Sequence, residues 1–225
     1  MKNLVKVLIV VFIVTLTSES FAQTYGIKAG LNLSNMVMKA GGETWSDDFK
    51  MNPGFHVGPT VEFPISEVFS FETALLISTK GFKISDKETY QDDTYEYKSK
   101  CNLLYLDIPL TVKASVNVGE KTSIYGVFGP YLGVGLSGKT VSEDTYNGEK
   151  NTEEVDIKWG SDEESDFLNR LDYGVTFGAG VDYNSFQIGL SYGLGLANIS
   201  AYTDDDVKIK NRVLGISVGY KFGGK

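Results

Sequence analysis

Apolar and polar residues alternate at every second position in eight separate segments of this chain. The clearest segment reads FQIGLSYGLGL at residues 186–196, where the polar positions carry only glycine, serine and glutamine. A period of two is typical of a β-strand with two unlike faces, and no segment after residue 22 has the helical period, so the sequence predicts an all-β chain. The eight segments span residues 24–34, 54–63, 69–80, 103–113, 123–137, 171–183, 186–196 and 212–222.

The connections between these segments alternate between short and long. Short turns at one end and long loops at the other are typical of bacterial outer-membrane barrels, whose turns lie in the periplasm. We therefore predict an eight-stranded antiparallel up-and-down transmembrane β-barrel with short periplasmic turns and long extracellular loops. The short connections are residues 64–68, 114–122 and 184–185, and the long ones are 35–53, 81–102, 138–170 and 197–211.

The glycines of the polar face indicate which face meets lipid. In a soluble barrel the water-facing positions carry many charged side chains, whereas here they include Gly174, Gly178 and Gly189. An eight-stranded lumen is only just wide enough for side chains, so small residues suit an inward face. The apolar face is therefore predicted to meet lipid. In the alternative, an exported soluble sandwich or periplasmic lipocalin-like ligand carrier, the two faces are reversed.

Ten titratable residues occupy the predicted inward face. Its four lysines and five carboxylates nearly balance, which predicts mutual pairing because unpaired buried charges are costly. His56 is the only histidine, and Glu62 lies too far along the same strand to orient it, at about 3.3 Å per residue. We therefore expect a lumen histidine with a structural role, no enzymatic activity and no catalytic residue. The predicted lumen charge network comprises Lys28, His56, Glu62, Glu72, Lys80, Asp107, Lys113, Asp172, Asp182 and Lys221.

Aromatic residues gather at the short-turn ends of the outward face, as in the girdles of outer-membrane barrels. Strand propensity alone also enriches aromatic residues and is the alternative explanation. Three prolines within strands, Pro59, Pro109 and Pro130, each remove a ladder hydrogen bond, so we expect a bulge or bend at each. The predicted periplasmic-side girdle comprises Tyr25, Phe63, Phe69, Tyr183, Phe186, Tyr220 and Phe222.

The first 22 residues have the features of a secretory signal peptide. Two lysines precede an apolar run from Val7 to Val14, and Ser20-Phe21-Ala22 offers a cleavage site. The apolar run is shorter than the roughly 20 residues of a spanning helix, which argues against an N-terminal membrane anchor. We therefore predict a signal peptide at residues 1–22, a barrel domain at residues 23–225 and export to the outer membrane of a Gram-negative cell.

Charge and the scarcity of metal-binding residues exclude several classes of function. The chain has 21 basic and 29 acidic residues, and removal of Lys2, Lys6 and Glu19 leaves 19 and 28, a net charge of −9. Nucleic-acid binders carry basic patches, so no nucleic acid is expected as a partner. The single cysteine, Cys101, cannot close an intramolecular disulfide. With one cysteine and one histidine in the chain, we expect no zinc or iron site and no cofactor.

The long loops are the expected site of function, because loops on a rigid scaffold carry many binding residues. Residues 139–170 contain ten acidic and four basic residues, including SDEESD at 161–166. The simplest interpretation is a solvated charge run. The alternatives are a contact to a protein partner or to a divalent cation, which prefers carboxylate oxygens. The candidate cation contacts are Asp162, Glu163, Glu164, Asp166, Asp204, Asp205 and Asp206.

Five segments also resemble one known family in sequence and in order. They read GIKAGLNLSN, LLYLDIPLTVKAS, YGVFGPYLGVGLSGK, DYGVTFGAGVDY and GISVGYKF. Together they resemble PorT-type outer-membrane β-barrel proteins over nearly all of the chain after residue 22. The resemblance implies a barrel in the outer-membrane lipid, no transferable catalytic residue and, for one namesake, association with a secretion system. A structural or partner-binding scaffold is therefore the predicted function, with a component of a protein secretion machinery as the alternative.

Overall fold

The computed structural model describes residues 23–44, 46, 49–90, 93–162, 165–202 and 206–222. The predicted signal peptide at residues 1–22 lies outside the described residues. Within these described ranges, no helix is long and apolar enough to cross a membrane. The strands are β1 (Thr24–Ala40), β2 (Glu43–Thr44), β3 (Asn52–Pro64), β4 (Phe69–Ala74), β5 (Leu76–Tyr90), β6 (Asp93–Gly119), β7 (Thr122–Tyr146), β8 (Glu149–Asp156), β9 (Leu171–Tyr183), β10 (Phe186–Gly195) and β11 (Lys208–Phe222).

The barrel closes into a ring through antiparallel pairing alone. Strand β1 pairs with β3 on one side and with β11 on the other. The ring continues from β11 through β10, β9, β7 and β6. Strands β4 and β5 both lie between β3 and β6 in one unshifted register, so they form one interrupted barrel strand. Eight barrel strands result, and the predicted all-β antiparallel barrel is confirmed.

The interruption between β4 and β5 lies between two of the strand prolines. On one side, the Leu75 N–H donates to the Pro59 carbonyl at 3.1 Å. On the other side, the Thr73 hydroxyl donates to the Pro109 carbonyl at 2.8 Å. The pairing register is unchanged at both of these prolines and at Pro130. Of the predicted bulge or bend at each proline, the bulge is therefore wrong, because a missing N–H removes a ladder bond without inserting an extra residue. The bend stays a prediction.

Large apolar side chains cover the outward face of the ring. Phe128 is 63 % and Leu190 is 57 % exposed, whereas Lys113 on the inward face is 0 % exposed. A water-soluble barrel has the opposite arrangement, so the outward face is the one that meets lipid. The inward glycines leave room for charged side chains, since a Cβ on Gly133 would lie 2.6 Å from the Asp107 Oδ1 atom.

Three strands, β5, β6 and β7, continue beyond the barrel wall on the side of the long connections, and β8 lies wholly beyond it. β6 has 27 residues and β7 has 25, whereas about 10 residues suffice to cross a bilayer. With β5 and β8 they form an antiparallel sheet in the order β5–β6–β7–β8. We call this region the extracellular sheet, and it comprises residues 82–90, 93–101, 139–146 and 149–156.

Long loops were expected at residues 81–102 and 138–170, and this expectation is wrong over most of both ranges. Residues 81–90 pair with 93–102, and residues 139–146 pair with 149–156 across a turn at 147–148. The physical reason is that both faces of the extracellular sheet meet water. The apolar alternation that marks a strand in lipid is therefore missing from its sequence.

A one-residue bulge in β7 separates the barrel from the extracellular sheet. Leu104 of β6 pairs with Ser137, and Tyr105 pairs with Gly135, so Leu136 is the extra residue. Side chains alternate between faces with a period of two. In β7 the odd-numbered residues up to Gly135 face the lumen. After the bulge, from Ser137 onward, the even-numbered residues lie on that side instead.

An apolar cap closes the outer end of the lumen. Two loop segments fold over the barrel mouth, and their described residues are 157–162 with 165–168 in the first and 197–201 in the second. β-Bridges join Trp159 to Leu168 and Leu168 to Ser200. The Trp159 ring meets Tyr105 edge-on, with 5.7 Å between ring centroids. No periodic pattern predicts the cap, because it joins residues at the outer ends of strands, such as Leu103 and Tyr105, to single apolar residues of two otherwise polar loop segments. Its buried core comprises Met36, Cys101, Leu103, Tyr105, Leu168, Ala197, Ile199 and Ile209.

Candidate functional site

The first of two ionic clusters fills the lumen near the short turns. Lys113 Nζ lies 2.8 Å from Asp182 Oδ2 and 3.3 Å from Glu62 Oε2. Lys221 Nζ contacts the same two carboxylates, at 2.8 Å and 2.9 Å. Lys28 Nζ lies 2.6 Å from Glu72 Oε1 and completes the cluster. The periplasmic cluster, comprising Lys28, Glu62, Glu72, Lys113, Asp182 and Lys221, is therefore formally neutral.

A second ionic cluster lies nearer the outer end and contains a single cation. Lys80 Nζ lies 2.8 Å from Asp107 Oδ1 and 2.8 Å from Asp172 Oδ2. The same ammonium group lies over the Tyr105 and Tyr131 rings, at 4.5 Å and 4.6 Å from their centroids. Cation–π contact adds to the stabilisation of a desolvated ammonium group. We call Lys80, Asp107 and Asp172 the outer cluster. Its two carboxylates therefore share one lysine as their only cation within the cluster.

His56 lies between the two clusters and is held by an amide, not by a carboxylate. Its Nδ1 atom lies 2.7 Å from Asn32 Oδ1. The Asn32 amide nitrogen donates to Phe55 O, Ser78 Oγ and Thr79 O. Because the nitrogen of Asn32 is committed as a donor, its oxygen accepts, and His56 Nδ1 carries the proton. Among the described residues, no carboxylate hydrogen-bonds to His56, and the Asn32 amide is the group that orients its ring.

A cavity of about 140 Å³ lies between the clusters. Lys28 and Glu72 of the periplasmic cluster, Lys80 of the outer cluster and the His56 ring all line it. More of its wall is apolar than polar, but the charged and hydroxyl groups that line it offer partners for ordered water molecules.

The extracellular sheet sorts its charges by face. The inner face, which continues the lumen-facing side, has five carboxylates and, among the described side chains, no cation. All six lysines of the sheet lie on the outer face. The inner face carries Asp86, Glu88, Asp144, Glu149 and Glu153 with Tyr95, Tyr97 and Tyr146; the outer face carries Lys83, Lys87, Lys98, Lys100, Lys139 and Lys150 with Glu96, Glu143, Glu154 and Asp156.

The outer face neutralises much of its own charge. Three of its carboxylates are paired with lysines of the same face, and the hydrogen bond from Lys98 lowers the pKa of Glu96. Such exposed pairs add little stability. Four of the ten charges of the outer face have no ion pair among the described residues, namely Lys83, Lys87, Lys100 and Asp156. The pairs are Lys98–Glu96 at 2.8 Å, Lys139–Glu154 at 2.6 Å and Lys150–Glu143 at 2.8 Å.

The inner face is arranged differently, because tyrosines stand between its carboxylates. The Tyr95 hydroxyl donates to Asp144 Oδ1 at 2.7 Å, and this hydrogen bond raises the pKa of Tyr95. Asp86, Glu88 and Tyr97 line a cleft together with Tyr95. Among the described residues, none of the five inner-face carboxylates has an ion-pair partner. No signal in the sequence alone reveals this sorting, since it depends on the strand register.

An antiparallel ring with a lipid-facing exterior and a charged interior is the architecture of bacterial outer-membrane proteins. A family profile described as outer membrane protein beta-barrel domain matches residues 21–201. The chain belongs to this family. It is therefore an integral protein of the cell outer membrane, as predicted.

Several solved outer-membrane barrels are similar to this chain at low sequence identity. Ail, the attachment invasion locus protein of Yersinia pestis, is 18 % identical over 89 % of this chain and 99 % of its own, with a TM-score of 0.35. Neisserial surface protein A is 11 % identical over 88 % and 97 %, with a TM-score of 0.40. The outer membrane protease OmpT of Escherichia coli is 12 % identical over 92 % and 99 %, with a TM-score of 0.31. No curated protein matches significantly, and at these values no activity of the three barrels carries over.

In this outer-membrane barrel, the predicted aromatic girdle residues lie at the short-turn ends of their strands. Phe69, Tyr183 and Phe186 are exposed on the outward face, together with Tyr220 and Phe222. Tyr220 contacts both Phe186 and Phe222, each at 5.2 Å between ring centroids. The remaining two predicted members, Tyr25 and Phe63, are half-buried.

Three of the seven predicted cation ligands, Asp162, Asp166 and Asp206, lie among the described residues, and these three do not form a group that could hold a metal ion. Asp166 Oδ2 accepts the Asp162 backbone N–H at 3.1 Å, and Asp206 lies 3.7 Å from Lys208 Nζ. In the part of the chain that is described, no group of three potential metal ligands occurs. The other four candidates lie outside the described residues, so the divalent-cation contact stays a prediction. These four are Glu163, Glu164, Asp204 and Asp205.

The barrel is expected not to conduct ions. Two ionic clusters and the apolar cap fill the lumen of an eight-stranded ring, whereas aqueous porin channels need about 16 strands. Planar-bilayer recordings of the refolded protein should therefore show no stable current steps, with a porin of known conductance in the same bilayer as the control. Large, long-lived steps from the purified protein would contradict a sealed lumen.

Proposed function

We propose that this protein is a non-enzymatic anchor in the outer membrane that presents the extracellular sheet to a protein partner outside the cell. The observation that carries this proposal is the continuation of β5, β6 and β7 beyond the barrel wall as paired strands, with β8 added. A rigid scaffold that holds an exposed surface in a fixed geometry is a common arrangement for binding. The barrel then supplies position, and the sheet supplies recognition.

The filled lumen supports an anchoring role over a catalytic one. Lysines pair with all five predicted lumen carboxylates, so these carboxylates are engaged in holding the strands together. His56 faces an asparagine and has no carboxylate to orient it within the described residues. The ten lumen residues therefore have a structural role in this proposal. The aromatic girdle fixes the depth of the barrel at the periplasmic interface.

A second candidate function is a component of a protein secretion machinery. It rests on the five PorT-like segments, of which LLYLDIPLTVKAS and YGVFGPYLGVGLSGK lie on the adjacent strands β6 and β7. In that role the extracellular sheet would contact another component of the machinery. Deletion of the gene with unchanged protein secretion would remove this candidate.

Cysteine labelling on intact cells tests the proposed display of the sheet. The native Cys101 is only 4 % exposed, so a membrane-impermeant maleimide has little background. We expect Thr152→Cys, in β8, to be labelled on intact cells, because it is exposed on the extracellular side. The matched control Glu120→Cys, in the exposed turn between β6 and β7, should react only after lysis.

Two labelling outcomes would overturn the proposal. Labelling of Glu120→Cys but not of Thr152→Cys on intact cells would mean that the sheet faces the periplasm. Labelling of neither would mean that the protein does not reach the surface. N-terminal sequencing of the same material tests the proposed signal peptide, since the mature chain should begin at Gln23.

A further inference from the structure

We infer that the inner face of the extracellular sheet binds a lysine- and arginine-rich segment of a protein partner. This inference rests on the proposed function and names the chemistry of its partner. The surface is an unpartnered sheet face whose charges all have one sign, and the occupant is argued from charge complementarity.

Strand register concentrates negative charge on this face. The cross-strand rows place Tyr97 between Asp86 and Asp144, and place Tyr95 beside Glu88. Adjacent strands lie about 4.8 Å apart, so Asp86 and Asp144, with Tyr97 between them, are about 10 Å apart across the sheet. Asp86 and Glu88 lie two residues apart on β5 and share the inner face. Like charges this close raise the local negative potential unless a cation neutralises them. The lysines that could do so lie on the other face of the same strands.

Tyrosine gives the inner face a second property that suits basic side chains. Tyr95 is 46 % and Tyr146 is 54 % exposed, and the two rings are directly opposite each other across β6 and β7. Aromatic faces attract ammonium and guanidinium groups, and carboxylates pair with the same groups through charge-assisted hydrogen bonds. The cleft lined by Asp86, Glu88, Tyr95 and Tyr97 combines both kinds of contact within the width of one side chain.

The outer face of the sheet serves as an internal comparison. It belongs to the same four strands, but its carboxylates are mixed with lysines and three of them are already paired. A basic segment therefore gains less there, since it has to compete with lysines of the sheet itself. Electrostatic complementarity of this kind selects a partner and speeds its association.

Fluorescence anisotropy with the full-length protein in nanodiscs tests this inference. The probe is a short labelled arginine–serine peptide, and a glutamate–serine peptide of the same length is its control. The inner-face variant carries Asp86→Asn, Glu88→Gln, Glu149→Gln and Glu153→Gln. The matched outer-face variant carries Glu96→Gln, Glu143→Gln, Glu154→Gln and Asp156→Asn, so both variants lose the same net charge.

We expect the basic peptide to bind and the acidic peptide not to bind. At physiological salt, the basic peptide should bind the inner-face variant about tenfold or more weakly than the unchanged protein, and the outer-face variant should lose much less affinity. Salt screens charges that are more than about 8 Å apart, so the difference reports on charges close to the peptide. Equal losses in both variants would reduce the effect to net charge and overturn the inference. Tight binding of the acidic peptide would also overturn it.

Surface display of the sheet and binding of a basic partner can be refuted independently. If the basic peptide does not bind while Thr152→Cys is labelled on intact cells, the sheet is displayed but its partner is not basic, and only this inference is lost. If Thr152→Cys is not labelled on intact cells, the proposed function itself is lost, whatever the peptide does in nanodiscs.

Discussion

Replacing Lys80 with methionine is expected to destabilise the folded barrel by about 3–5 kcal/mol, the usual cost of breaking a buried ion pair by removing one partner. Lys80 is 3 % exposed and contacts Asp107 and Asp172, each at 2.8 Å. It is the only lysine of the outer cluster, so its loss leaves two carboxylates without a cation. Methionine retains most of the side-chain volume, so the change tests charge more than packing.

The measurement is a urea titration of the refolded protein in micelles, read out by the heat-modifiable shift between folded and unfolded bands on a gel. Lys139→Met is the control, because it removes an exposed lysine that pairs with Glu154 at 2.6 Å and should cost within about 1 kcal/mol. Adding Asp107→Asn and Asp172→Asn to Lys80→Met should recover part of the loss, since the uncompensated charges are then gone. If Lys80→Met unfolds at the same urea concentration as Lys139→Met, the outer cluster does not hold the barrel together.

An arginine at Leu190 is expected to destabilise the protein in a bilayer by about 2–4 kcal/mol, the cost of a lipid-facing cation near the membrane midplane. Leu190 lies in the middle of β10 and is 57 % exposed on the outward face. In a soluble barrel the same substitution would place a charge in water and cost little. The result therefore tests directly which face meets lipid.

Val155→Arg is the matched control for this substitution. Val155 is also an exposed apolar strand residue, at 42 %, but it lies in β8 of the extracellular sheet. Folding yield and unfolding midpoint in phospholipid vesicles should fall for Leu190→Arg and change little for Val155→Arg. Equal effects from the two arginines would show that β10 and β8 share one environment and would contradict the proposed membrane position.

The barrel wall was predictable because lipid and lumen make opposite demands on successive residues. The segment predicted at 171–183 coincides with β9, Leu171–Tyr183, since one face there meets hydrocarbon and the other a crowded interior. The same alternation places Lys80 and Asp172 in the lumen. It does not show that they pair across 92 residues of chain, because pairing depends on the stagger of the strands around the ring.

Two parts of the outer half were not predictable from hydrophobic periodicity. Strands of the extracellular sheet have water on both faces. Tyr97 and Lys98 point to opposite faces, but both side chains have polar groups, so the sequence does not show which face is which. The apolar cap collects Trp159, Leu168 and Ile199 from segments that are otherwise polar. In both cases the fold is set by contacts between distant segments, which no local pattern reports.

The bulge at Leu136 controls which charges of β7 reach each side of the extracellular sheet. Deleting this one residue would restore an uninterrupted alternation, and β7 beyond it would turn over relative to β6. Lys139 and Glu143 would then exchange sides with Thr140 and Asp144, while the pairing of the barrel below would keep its register. A single inserted or deleted codon at the membrane boundary can therefore recode the surface charge of this protein without any change to the part that holds it in the membrane.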